Sequence, residues 1–95
     1  MNYTELQSHK KMIHQIAEKY GATRIRVFGS VARGDADEKS DVDLLVNLEE
    51  NRSLFDLGGL QFDLQESLAV PVDVVTEGGL KGDMRQRVLA EAKDI

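Results

Sequence analysis

Apolar residues along this chain recur with two different periods, and the switches between them mark its elements. From Thr4 to Tyr20 they fall at Leu6, Met12, Ile13, Ile16, Ala17 and Tyr20, a stripe with helical spacing. Thr4 with Gln7 forms a capping box and Gly21 stands where a helix stops, so the pattern predicts one helix over 4–20. Thr23–Phe28 then reads as a first strand, because Ile25, Val27 and Phe28 favour β structure. Arg24 and Arg26 alternate with these apolar residues, which turns one face of the strand toward solvent or a ligand. Ser30–Arg33 predicts a short helical turn, and the polar run Gly34–Ser40 a loop leading to a second strand, Asp41–Leu48.

The second half repeats the alternation. After a turn at Glu49–Ser53, Ser53 and Asp56 supply a helix start, and Leu57, Leu60, Leu64 and Leu68 give that helix a face to pack on a sheet. Gly58-Gly59 lies inside it at a cost of about 1 kcal/mol per glycine relative to alanine. A late start, a kink or a close backbone contact would each account for the pair. Pro71–Thr76 is a third strand, and after Thr76-Glu-Gly-Gly79 a last helix begins at Lys81 or Asp83. Met84, Val88 and Leu89 dock that helix, while Lys81, Arg85 and Arg87 read most simply as its solvated face, with contact to a triphosphate or a partner as the second option. His9 and His14, five residues apart, do not share a helix face and read as solvated. The order predicts an α+β fold: a small mixed β-sheet with helices mainly on one face.

Composition narrows the class. Ninety-five residues fit a single domain over 1–95, large enough for one core and too small for a second lobe. Twelve basic against seventeen acidic residues give a net charge of −5, which opposes binding to a long nucleic acid. Cysteine is absent, so disulfides and thiolate metal sites are excluded, in keeping with a cytoplasmic location. The sequence shows neither a signal-peptide pattern nor an apolar run of membrane-spanning length.

Chemistry concentrates between Val27 and Val46. Gly29, at the end of the first strand, lets the backbone approach a ligand closely, and Ser30 adds a hydroxyl beside free backbone N–H groups suited to phosphate. Asp41 and Asp43 are two apart at the start of a strand, so both carboxylates project from one face. Paired carboxylates beside a phosphate cradle are what a magnesium-dependent phosphate reaction needs. Asp73 is embedded among Val70, Val72, Val74 and Val75, where a charge demands a partner or water at a sheet edge. A third carboxylate beside Asp41 and Asp43 is the reading preferred here.

Gly-Ser, a ten-residue gap and Asp-x-Asp at a strand start resemble the signature of the polymerase-β-like nucleotidyltransferases. The fuller string, Gly-Ser-Val-Ala-Arg-Gly followed by Ser-Asp-Val-Asp-Leu-Leu-Val, is similar to the minimal nucleotidyltransferase branch, whose members are often antitoxins of HEPN-type ribonuclease toxins. The resemblance implies an enzyme that transfers AMP from ATP to a hydroxyl, with a tyrosine of the partner toxin as acceptor. It implies two Mg²⁺ ions held by Asp41 and Asp43, with Asp73 aiding the ion that activates the acceptor. Gly29 and Ser30 would hold the β- and γ-phosphates. Arg33 matches the family's arginine and would neutralise pyrophosphate, a structural role remaining open; Lys39 and Ser40 are weaker candidates. Larger relatives grip the base or acceptor with a second domain, so this chain should select its base loosely or with the help of a neighbour, as a homo- or hetero-oligomer. The contrasting expectation is an idle site and a protein that neutralises its partner by stoichiometric capping.

Overall fold

In the computed structural model, which describes residues 1–95, the sheet is built from β1 (Ala22–Phe28), β2 (Val42–Leu48), β3 (Val72–Thr76) and the two-residue β4 (Lys93–Asp94). Their order is β3-β2-β1-β4. β1 runs antiparallel to β2 and β4, whereas β2 and β3 are parallel, so the sheet is mixed as predicted. A parallel pair needs a long crossover, and α4 (Leu54–Leu68) supplies it. The short edge strand β4 carries no periodic signal of its own. It is held by the Arg24–Asp94 ion pair at 2.9 Å and by the bond from Tyr3 Oη to the Asp94 carbonyl at 3.0 Å.

One face of the sheet is covered by α1 (Tyr3–Ser8), α2 (Lys10–Lys19) and α4. Leu6, Ile13 and Ala17 meet Leu60, Leu64 and Leu68 over Ile25, Val27, Val42, Leu44, Val46 and Val74 in one buried cluster. Each such leucine removed from water contributes about 1.5–3 kcal/mol. The single helix expected over 4–20 is instead two helices joined at His9. Ser8 Oγ donates back to the Glu5 carbonyl at 2.5 Å, a local bond that competes with helix continuation. The N-terminal cap is Asn2, whose side chain accepts from the Glu5 amide at 2.7 Å, and not Thr4. His14 is exposed yet engaged, with Nε2 2.8 Å from the carbonyl of Ile95.

α4 runs through Gly58-Gly59 without interruption, behind a capping box formed by Ser53 and Asp56. The close contact expected as one explanation exists at Gly59 alone: a Cβ there would lie 2.5 Å from Cε1 of Tyr20, whereas at Gly58 it would meet open space. Tyr20 cannot easily withdraw, because its hydroxyl donates to Asp63 at 2.6 Å.

The opposite face is partly roofed by a 3-10 turn, Glu77–Gly79, and by α5 (Gly82–Glu91). Phe28, Leu45, Leu80 and Val88 form a second small core there, flanked by Val75, Leu89 and Ala92. Beside it lies the one buried charge, Arg26, paired with Glu77 and bonded to Asn47 Oδ1 at 3.1 Å. The remainder of this face is open and polar.

Candidate active site

The site forms where β1 ends and α3 (Gly29–Arg33) begins. Antiparallel register sets Phe28 opposite Asp43, and parallel register sets Asp43 beside Asp73. The turn at Gly29 and the two aspartates therefore form one row across three strands. Gly29 has φ of 72°, and a Cβ there would lie 2.4 Å from Oδ2 of Asp43. Both facts require glycine: the left-handed backbone disfavours a side chain, and the carboxylate fills the space one would take. α3 closes at Gly34, also left-handed at φ of 84°.

Val42 is fully buried, so Asp41 and Asp43 flank it on the face away from the main core. Asp41 is exposed and Asp43 half-buried. The polar loop before them is ordered by Asp37, whose carboxylate accepts from the Lys39 amide at 2.8 Å and from Ser40 Oγ at 3.1 Å. Lys39 and Ser40 thus shape the loop that delivers Asp41. Asp73 is exposed on the edge strand β3, as the water-facing alternative supposed, and it also stands next to Asp43, as the third-carboxylate reading required.

Burial pushes the Asp43 carboxyl above the ordinary carboxylate range, the charges of Asp73 and Asp41 push it further, and Arg33 pulls it back. A bound cation would offset the repulsion among these carboxylates. The donor set is all hard oxygen, which fits Mg²⁺. No three acidic residues close tightly enough to cage an ion by themselves.

A pocket of about 270 Å³ adjoins this row. Gly29, Ser30, Arg33 and Asp43 line it, while Asp41 and Asp73 lie outside its walls. The opposite wall is α5, through Met84, Arg87, Val88 and Glu91. Arg87, read most simply as solvated, is exposed but faces this pocket. Glu91 was not anticipated at all: it accepts a hydrogen bond from the Gly29 amide at 2.8 Å and pairs with Arg33 at 3.3 Å. The signal was present as the spacing 84, 87, 88, 91, one face of a helix. Nothing in the sequence placed that face against Gly29. Arg33 is further held by Asp35 at 3.4 Å, and these carboxylates raise its pKa.

A glycine turn, a serine and neighbouring carboxylates share the open face of a small mixed sheet. The nucleotidyltransferase domain family matches residues 9–95. Protein adenylyltransferase MntA of Thermococcus cleftensis is 42% identical over 86 residues, covering 90% of this chain and 84% of the relative. A solved structure of a protein assigned to the minimal nucleotidyltransferases superposes with a TM-score of 0.87 at 44% identity, covering 100% of this chain and 97% of the other. The same fold occurs, at a TM-score of 0.70 and 20% identity, in a complex of the tri-AMPylated Shewanella oneidensis HEPN toxin with its MNT antitoxin, covering 93% of this chain and 69% of that one. The chain belongs to the nucleotidyltransferase domain family, in its minimal branch, and is a nucleotidyltransferase.

Proposed function

We propose that this protein transfers AMP from ATP to a tyrosine hydroxyl of a HEPN-type ribonuclease toxin and thereby acts as its antitoxin, residues 1–95 serving as one catalytic unit. The observation that carries the proposal is the row formed by the Gly29 turn, Asp43 and Asp73 across β1, β2 and β3. The identity to a protein adenylyltransferase supports the reaction class, and the HEPN complex of the same fold supports the partner.

The hydroxyl oxygen attacks the α-phosphorus of ATP, the bond from that phosphorus to the bridging oxygen breaks, and pyrophosphate departs. Gly29 and Ser30 hold the β- and γ-phosphates, and Arg33, beside them in the pocket, offsets charge on the leaving pyrophosphate. Asp41, Asp43 and Asp73 would hold two Mg²⁺ ions, which supply charge neutralisation on the phosphate oxygens and acidify the acceptor hydroxyl. Asp73, exposed at the sheet edge, would take the hydroxyl proton. The open edge leaves the acceptor to be positioned by its own docking, which favours a protein surface over a small alcohol. An AMP added there brings bulk and negative charge to a protein that must bind RNA.

Intact-mass spectrometry of the partner incubated with Mg-ATP tests this. The native enzyme is expected to add one or more AMP units, and Asp41→Asn none. An unchanged partner mass together with lost ribonuclease activity, at one-to-one stoichiometry and without ATP, would replace transfer by capping.

A further inference from the structure

The Gly29 turn is not held by its own strand alone. Its amide donates to Oε1 of Glu91 at 2.8 Å, and the same carboxylate lies 3.3 and 3.4 Å from Nη1 of Arg33 through its two oxygens. Glu91 is the last residue of α5, and its side chain is only 21% exposed. The helix that carries it is fixed at both ends. Arg85 Nη1 donates to the Glu77 carbonyl at 2.8 Å, and after Glu91 the chain enters β4, pinned by Arg24 to Asp94. Val88, one turn before Glu91, is buried against Phe28 in the second core. The carboxylate is therefore anchored through α5 and reaches both ends of α3.

We infer that Glu91 is a positioning residue for nucleotide binding: its Oε1 accepts from the Gly29 amide while both carboxylate oxygens orient Arg33, so that α5 sets the spacing between the phosphate-contacting turn and Asp43. This rests on Gly29, Ser30 and Arg33 being the phosphate contacts. Gly29 needs such a restraint because its left-handed backbone is one of many conformations open to glycine, and the Asp43 carboxylate occupies the space a Cβ would take. A group that defines geometry through hydrogen bonds should tolerate an isosteric acceptor and fail when shortened. A carboxylate that merely fills the cradle as a stand-in anion should do the reverse of harm when removed, because the triphosphate would no longer compete with it.

The test compares Glu91→Gln, Glu91→Asp and Glu91→Ala. Mg-ATP affinity is measured by isothermal titration, and exchange of the Gly29 amide by NMR without nucleotide. Positioning predicts that Gln binds Mg-ATP within about threefold of the native protein and keeps the Gly29 amide protected, since its Oε1 still accepts. Asp, one methylene short, and Ala should each bind at least about tenfold more weakly, a change of roughly 1.4 kcal/mol, and expose that amide to exchange. Tighter or unchanged binding in Ala, or Gln as weak as Ala, overturns the inference. If Ala does not fold, the order of Gln and Asp decides, because a purely electrostatic role would make Asp the better substitute. A native protein that binds no Mg-ATP, or binds it unchanged in Asp43→Asn, refutes the phosphate contacts instead; the amide protection then still reports whether Glu91 holds the turn.

Discussion

Asp43 is the residue at which function and stability oppose each other. Its carboxyl is raised by burial first and then by Asp73 and Asp41. The fold thus favours its protonated form, and that contribution is lost as pH rises through the folded value, leaving an ionised group that burdens the ion-free protein at neutral pH. Asp43→Asn is expected to raise Tm by a few degrees at pH 7 and to abolish Mg-ATP binding. The stability gain should vanish below the ordinary aspartate pKa of about 3.9, where both side chains are neutral. Thermal melts at several pH values check the sign, and a lower Tm at pH 7 would contradict it. Gly29→Ala meets the same carboxylate from the other side. With φ of 72° and 2.4 Å to Oδ2, it should cost about 1–3 kcal/mol in urea unfolding and remove nucleotide binding with it.

Among the elements, α4 shows how two adjacent identical residues can have opposite worth. Gly59 lies against the Tyr20 ring, tethered through its hydroxyl to Asp63, whereas Gly58 faces open space. Gly58→Ala should stabilise the protein by up to about 1 kcal/mol, the intrinsic gain of alanine in a helix. Gly59→Ala should instead destabilise it by about 1–3 kcal/mol through overpacking. Urea unfolding of both variants checks the contrast, and equal effects would mean that the Tyr20 contact carries no energetic weight. The predicted glycine cost was correct in kind. Its compensation lay across the helix–helix interface, which a sequence window does not contain.

At the scale of the molecule, a large apolar core on one face and a small one on the other leave the site in the remaining open ground between α5 and β3. The two layers of the site face are joined by Arg26, a buried guanidinium whose carboxylate partner Glu77 begins the 3-10 turn before α5. The bonds from Arg26 and Asn47 hold the Glu77 carboxyl below its ordinary range. Its stabilisation is therefore present above the unfolded value of about 4.3 and is lost as pH falls through the folded one. Glu77→Gln should lower Tm by several degrees at pH 7, with the difference closing in acid. Amide exchange should accelerate in α5 more than in α2, because α5 hangs on this pair and the small core while α2 packs on the large one. Uniform acceleration would show that α5 is not a separate unit.

Sequence alone determined what depends on local chemistry and period. The strands β1 to β3, the helix α4 with its Ser53–Asp56 box and the grouping of Gly29, Ser30, Asp41 and Asp43 all follow from residues within about twenty positions of one another. The sheet-edge position of Asp73 was legible because a charge in a valine run has few places to go. Tertiary structure decided the rest. Register, set by the whole sheet, put Asp73 beside Asp43, where its charge adds to the burial that raises the Asp43 pKa. The break at His9 coincides with the Ser8 back-bond, and β4 was decided by pairing with a strand some seventy residues away. Glu91 lay furthest beyond a sequence reading: its hydrogen bond to Gly29 joins positions 62 apart, and no propensity or period encodes a contact made only when α5 folds back over the sheet.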